Sequence, residues 1–97
     1  MKTLADMTFE YIWLMMFGDE DQIAPDYAVQ LQESLSLYFN EMTSAEKSAL
    51  SQAAERARDF LLADPDENGF TPQALVSNEQ REMLDAFISG EAFESFL

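Results

Sequence analysis

The chain contains no cysteine and no histidine. Without cysteine it has no disulfide, no thiolate metal ligand and no thiol nucleophile, which fits a reducing compartment. Without histidine it lacks the commonest general base. Its three glycines fall at predicted helix ends or turns, so no phosphate-binding glycine pattern is present. We therefore expect a protein that is not an enzyme and that uses no cofactor.

Basic residues are also scarce. Five Lys and Arg oppose nineteen Asp and Glu, a formal charge of −14 that is spread along the whole chain. Nucleic acids and anionic membranes reward positive charge, so direct binding to either is not expected. A basic protein partner is favoured, because opposite fields speed encounter and select partners. The alternatives are an acidic surface that serves solubility alone or adaptation to high salt.

Long hydrophobic runs are missing as well. The longest, residues 11–17, is far shorter than the roughly 20 residues that span a bilayer, and the chain does not open with a signal-peptide pattern. We expect a cytoplasmic protein with no membrane segment.

Large apolar side chains are abundant, with eight Phe, six Met, three Tyr and one Trp in 97 residues that are 47% hydrophobic. This content is enough for one folded domain over residues 1–97. Valine and isoleucine are few, and no alternating strand pattern occurs. The sequence predicts an all-α fold, a compact bundle of four main helices plus short helical turns.

The helix signals fall in chain order. Thr3 is the predicted N-cap of a helix that ends at Gly18, and a second helix covers 25–42. Thr43 and Glu46 form a capping box for a third helix, 44–63, which we expect to be the backbone of the fold. Thr71 starts a short turn that extends through residue 75. Ser77 and Gln80 form a second capping box, for a fourth helix that covers 78–89 and ends at Gly90. Residues 91–97 are expected to dock as a last turn.

Hydrophobic spacing assigns a core face to each helix. The third helix has a face of small residues, against which the first two helices are expected to pack. The first helix is apolar on nearly all sides, which is typical of a helix buried on several sides or in contact with a partner. The predicted faces consist of Leu4, Met7, Tyr11, Leu14 and Met15, widened by Phe9, Ile12, Trp13, Met16 and Phe17; of Ala28, Leu31, Leu35, Tyr38, Phe39 and Met42; of Leu50, Ala53, Ala54, Ala57, Phe60 and Leu61; and of Met83, Leu84, Phe87 and Ile88.

The segment 64–69 resembles the first half of an EF-hand loop. Asp64, Asp66 and Asn68 occupy ligand positions one, three and five, and Gly69 occupies position six. Position twelve is Leu75, so the bidentate glutamate is missing. A turn that ends the third helix is the alternative, because Asp-Pro and Asn-Gly pairs favour turns. We therefore assign no metal ligands. A weak calcium-binding, EF-hand-like module at 64–75 is kept as an alternative hypothesis.

Aromatic residues beside exposed acids are the best candidates for partner binding. Tryptophan, tyrosine and methionine are enriched in binding hot spots, and the aromatic run of the first helix is followed directly by three acids. A plain core helix is the alternative for that run. The predicted partner-binding residues are Trp13, Phe17, Asp19, Glu20, Asp21, Asp26, Asp64, Asp66 and Glu67.

In size, charge and lack of catalytic groups the chain is similar to bacterial immunity proteins and other toxin inhibitors. That resemblance implies a non-catalytic protein that neutralises a basic partner, such as a nuclease toxin. A DNA-mimic inhibitor is a second hypothesis and predicts a continuous acidic face, whereas an immunity protein predicts a compact acidic patch with aromatic anchors. The calcium module is a third. A structural adaptor, or a homodimer that packs through Phe17 or Phe96, is a fourth, and the sequence leaves the oligomeric state open.

Overall fold

A computed structural model describes residues 1–69 and 71–95. It contains α1 (Lys2–Phe17), α2 (Pro25–Glu41), α3 (Ser44–Leu61), a 3-10 turn (Pro72–Leu75), α4 (Asn78–Ser89) and a short α5 (Ala92–Ser95). No strand occurs among the described residues. The predicted all-α bundle of four main helices with short turns is confirmed.

Capping residues fix the starts of α3 and α4. The Thr43 hydroxyl accepts a hydrogen bond from the Glu46 N–H at 3.1 Å, and the Glu46 carboxylate accepts one from the Thr43 N–H at 2.9 Å. Ser77 and Gln80 make the equivalent pair at α4. Each box satisfies two backbone donors that a helix start leaves unpaired, so both predicted starts are confirmed.

The predicted cap at Thr3 is wrong. The N–H of Ala5 already donates to the Met1 carbonyl at 2.8 Å, so α1 begins at Lys2 and Thr3 lies inside its first turn. Helix α1 has no side-chain cap. A threonine near an apolar run is compatible with either position, because the first turn of a helix also tolerates a threonine.

The C-terminal ends use glycine in two different ways. Gly90 ends α4 in the left-handed conformation, with φ of 87°, as helix stops commonly do. Gly18 ends α1 with an extended backbone, φ −66° and ψ 146°. A Cβ at Gly18 would lie 2.5 Å from the Leu14 carbonyl oxygen, so this position needs glycine for space rather than for φ.

Helix α3 ends at Leu61, two residues before its predicted end. The carbonyls of the next two residues bind side chains of the following segment: the Gln73 amide donates to the Leu62 carbonyl, and the Thr71 hydroxyl donates to the Ala63 carbonyl at 2.6 Å. The predicted turn after Thr71 is present, and the Thr71 hydroxyl also accepts from the Gln73 N–H.

Helix α3 lies at the centre of the fold, as expected, but its neighbours differ from the prediction. It packs most extensively against α4 and α1, whereas α2 packs mainly on α1 and α5. The Ser51 hydroxyl donates to the Phe87 carbonyl at 2.7 Å and joins α3 to α4. Ala53 and Ala54 are buried at these contacts. Small side chains let helices approach closely, so α4 takes the place predicted for the second helix.

The core is an aromatic cluster centred on Phe87. Its ring meets Phe9, Phe39 and Phe93 edge to face, with centroids 5.5–6.0 Å apart. Phe93 and Ala92 are buried, so the C-terminal turn docks as expected. The expectation for Phe96 lies outside the described residues. Edge-to-face pairs of this kind stabilise a core beyond the area they bury.

The predicted core face of α1 is wrong at three of its residues. In α1 the buried side chains are Ala5, Phe9, Ile12 and Met15, while the other side of the helix is open: Leu4, Met7 and Tyr11 are exposed. Because α1 is apolar on nearly every side, periodicity could not choose between its faces. Two further residues that the spacing placed inward are also exposed, Tyr38 in α2 (61% exposed) and Phe60 in α3 (71% exposed).

Candidate protein-binding groove

An open groove of about 810 Å³ runs between α1 and α3. We call it the α1/α3 groove. The α1 wall is formed mainly by Thr3, Met7, Glu10, Trp13, Leu14 and Phe17, and the α3 wall by Ala53, Arg56, Ala57, Phe60 and Leu61. Apolar side chains therefore provide most of the lining, with charged groups at a few positions. Pockets of this composition are typical binding sites in proteins.

Three aromatic residues of α1 form a continuous stack that leads from the core into the groove. Phe9 lies against Phe87 in the core and also contacts Trp13, with ring centroids 6.0 Å apart. Trp13 in turn contacts Phe17 at 4.9 Å. Trp13 and Phe17 are half-buried. The buried part of the stack holds the two groove residues in place, so they are ordered without being covered.

An ion pair crosses the floor of the groove. The Nε and Nη2 groups of Arg56 both donate to the Asp6 Oδ1 oxygen, at 2.9 and 2.6 Å. The Lys2 ammonium lies 3.8 Å from the other carboxylate oxygen. Charge-assisted hydrogen bonds between helices fix their relative position as well as adding stability. The guanidinium charge in the groove is thus already matched by a carboxylate of the chain.

Exposed acids border one end of the groove. Gly18 and Gln22 line the groove, and Asp19, Glu20 and Asp21 lie in the loop between them. The Asp19 carboxylate accepts from the N–H groups of Asp21 and Gln22 at 3.0 and 3.1 Å. The Gln22 side chain accepts from the Asp19 N–H. These bonds give the loop backbone a defined shape and hold the Asp19 carboxylate in place. We call the three exposed acids, Asp19, Glu20 and Asp21, the acidic rim.

The predicted binding residues fall into two groups. Trp13 and Phe17 line the groove, and the acidic rim borders it. The remaining four are exposed but do not line the groove: Asp26 in the first turn of α2, and Asp64, Asp66 and Glu67 in the loop after α3. The groove therefore unites the aromatic run with the acids that follow it in sequence.

Phe60 was missed as a groove residue because its spacing on α3 indicated the core. It lies three residues after Ala57 on the small-residue face. The sequence does contain a signal, since Phe60 is a large side chain on a face otherwise rich in alanine. Whether that face is covered at Phe60 depends on where α1 and α4 lie, which local patterns do not specify.

The loop with the EF-hand-like spacing is closed by its own hydrogen bonds. The Asp66 carboxylate accepts from the Asn68 N–H, and the Asp66 carbonyl accepts from the Gly69 N–H, both at 2.9 Å. Gly69 has a φ of 79°. Across residues 1–69 and 71–95, no three acidic side chains converge in a way that could hold a metal ion. The two hydrogen bonds to Asp66 are typical of a turn that follows a helix.

Charge is confined to the surface in the described part of the chain, where no charged or polar side chain is buried. Three of the five basic residues, Lys2, Arg56 and Arg58, form ion pairs with carboxylates of the protein itself. No helix within residues 1–69 and 71–95 combines the length and hydrophobicity needed to cross a membrane.

Comparisons with known proteins found no match to a family model, to a curated protein or to a solved structure. The class of this protein must therefore be inferred from its own geometry and charge.

Proposed function

We propose that this protein is a small, non-catalytic inhibitor that binds a basic site on another protein, in the manner of an immunity protein that neutralises a bacterial toxin. The observation that carries the proposal is the α1/α3 groove itself, in which ordered aromatic side chains stand beside an acidic rim. Hot spots of protein interfaces combine such aromatic anchors with a polar, water-accessible border.

The charge of the chain specifies the partner. A protein of net charge −14 attracts basic surfaces over long range and repels acidic ones. Three of its five basic residues lie beside its own carboxylates, so these positive charges are balanced locally. Attraction of this kind mainly raises the association rate and selects the partner, while the aromatic groove supplies the short-range contacts.

Nuclease toxins are one class of basic partner, since their active sites attract phosphates. A DNA mimic would act on similar partners, but its binding would depend on a continuous acidic face. The combination of Trp13, Phe17 and a local acidic rim favours the immunity-protein hypothesis instead. The absence of cysteine from the sequence is compatible with action in the cytoplasm, which is part of the proposal.

The test begins with affinity capture from the native host, followed by purification of any basic protein that binds. Titration calorimetry and an activity assay then use the purified partner. The rim variant Asp19→Asn/Glu20→Gln/Asp21→Asn keeps the side-chain shapes and removes three charges. We expect binding at least about tenfold weaker and a flatter dependence on salt. Inhibition should reach completion at one-to-one stoichiometry.

A matched control removes the same number of charges elsewhere. Glu79→Gln/Glu82→Gln/Asp85→Asn changes three exposed carboxylates of α4 that do not line the groove. Its expected loss is smaller, about threefold or less, because only the overall field changes. Equal losses for the two triple variants would show that net charge alone drives binding. A captured partner whose activity is unaffected would contradict the inhibitor role.

A further inference from the structure

The groove walls carry the residue spacing of a coiled-coil seam. Five of the α1 lining residues, Thr3, Met7, Glu10, Leu14 and Phe17, follow one another at steps of four, three, four and three, and the other lining residues of α1, Trp13 among them, lie beside this line. This alternation keeps side chains in one line along a helix and is the pattern by which helices receive a parallel or antiparallel partner helix.

The second wall repeats that spacing on a neighbouring helix. Ala53, Ala57 and Phe60 of α3 follow one another at steps of four and three, with Ala53 buried at the base of the groove and Ala57 and Phe60 open to it. The two helices run in the same direction: Ala5 and Leu50 line a small cavity near their starts, and Phe17 and Leu61 line the groove at their ends. A small alanine side chain on one of two seams that run in the same direction leaves room between them, and a third helix packs into such a space by placing its side chains between theirs.

The dimensions fit a short helix. From Thr3 to Phe17 the α1 seam rises about 21 Å at 1.5 Å per residue, which corresponds to about four turns of an opposing helix. Peptides recognised in this way present apolar anchors at every third or fourth position.

Charge defines the chemistry of the occupant. Glu10 lies within the α1 seam, and the acidic rim stands at the end of the groove near Phe17. The Arg56 guanidinium also lines the groove, but it is already paired with the Asp6 carboxylate. Lys and Arg on the flanks of a bound helix would meet these carboxylates. A second copy of this chain would bring another net charge of −14 to the same surface, which opposes self-association.

We infer that the α1/α3 groove binds an amphipathic, basic α-helix of about four turns. This inference rests on the proposed function and names the element of the basic partner that enters the groove. The partner helix places apolar side chains between Phe17 and Phe60 and its Lys or Arg residues near Glu10 and the acidic rim.

The test uses synthetic peptides and the intrinsic fluorescence of Trp13, the one tryptophan of the chain. An 18-residue tryptophan-free peptide carries Leu at heptad a and d positions and Lys or Arg elsewhere. A second peptide has the same residues except for two central prolines. Because proline disrupts a helix, we expect it to bind at least about tenfold more weakly. Circular dichroism should show that the first peptide becomes more helical on binding.

Two variants of the protein separate groove binding from attraction by net charge. Phe60→Ala removes an exposed aromatic side chain of the groove, and Tyr38→Ala removes one of similar exposure on α2, outside the groove lining. Neither changes the charge. We expect Phe60→Ala to weaken peptide binding about fivefold or more, as truncation of a hot-spot residue does, and Tyr38→Ala to leave it within about twofold.

Several outcomes would overturn the inference: equal binding of the proline peptide, equal effects of Phe60→Ala and Tyr38→Ala, no binding of the helical peptide, or self-association of the protein through the groove. The proposed function survives each of the first three if a purified basic partner is still inhibited. Conversely, helical peptide binding without inhibition of any basic partner would support the inference and contradict the proposed function.

Discussion

Replacement of Phe87 should be the most damaging single change in the core. The side chain is fully buried and touches the rings of Phe9, Phe39 and Phe93. Truncation to alanine removes this apolar surface and leaves a cavity, which costs about 3–5 kcal/mol in comparable cores. A domain of this size is stable by roughly 5–15 kcal/mol, so Phe87→Ala should remain folded only marginally.

A second substitution isolates the aromatic contribution. Phe87→Leu retains most of the volume but loses three edge-to-face contacts, each worth about 0.5–1.5 kcal/mol. New apolar contacts of the leucine offset part of that loss, so we expect a cost of about 2 kcal/mol. Phe60→Ala is the matched control. Phe60 is 71% exposed, and its removal should change stability by less than about 0.5 kcal/mol.

The assay is urea unfolding followed by far-ultraviolet circular dichroism. With a slope of about 1.5 kcal/mol per M, Phe87→Ala should lower the midpoint by about 2–3 M, and Phe87→Leu by about 1.3 M. The order of the three variants is the critical result. A midpoint of Phe87→Leu equal to that of the unsubstituted protein would refute the role of the ring contacts. A cost of Phe60→Ala as large as that of Phe87→Ala would refute the assignment of the core itself.

Three further predictions concern helix ends and net charge. Thr43→Ala should lower the free energy of unfolding by about 1 kcal/mol, because it removes a capping hydroxyl. Thr3→Ala should be neutral or slightly stabilising, because Thr3 lies inside α1. Comparable losses in the urea midpoint of the two variants would contradict the observed start of α1. Gly90→Asn should destabilise the fold by less than about 1 kcal/mol, since asparagine tolerates positive φ. Gly18→Asn should destabilise it by about 2 kcal/mol or more, because the new side chain clashes with the Leu14 carbonyl. Thermal melts measure both variants, and a larger loss for Gly90→Asn would contradict the lack of space for a side chain at Gly18. Raising NaCl from about 0.02 to about 0.3 M should increase Tm by several degrees by screening the net charge of −14, and a Tm that stays flat would show that self-repulsion does not limit stability.

Local signals predicted the helices well, because they act within a few residues. Hydroxyl and carboxamide or carboxylate groups three residues apart identified the starts at Thr43 and Ser77. Gly90 ended α4 where a left-handed residue was expected. The end of α3 was predicted two residues late, because side chains of Thr71 and Gln73, distant in sequence, bind the carbonyls of Leu62 and Ala63 just after the helix.

Faces were harder to predict than ends. A helix with apolar residues on one side identifies its own core face, as α4 does with Leu84 and Phe87. Helix α1 has apolar residues on nearly all sides, so its core face was chosen by its neighbours. Phe9 enters the core because Phe87 lies opposite it, and Tyr11 consequently points away and is exposed. The groove depends on the same arrangement and was only partly visible in the sequence, through Trp13 and Phe17.

The composition of α1 explains why a groove exists at all. A helix in a bundle covers its surface only where it has neighbours, and α1 packs mainly against α2 and α3. Its remaining apolar surface stays open to water, which lowers stability and favours association. The net charge of −14 opposes association between copies but not association with a basic protein. An apolar groove on a strongly acidic molecule therefore favours a basic protein over a second copy of the chain, because the same carboxylates repel the copy and attract the proposed partner.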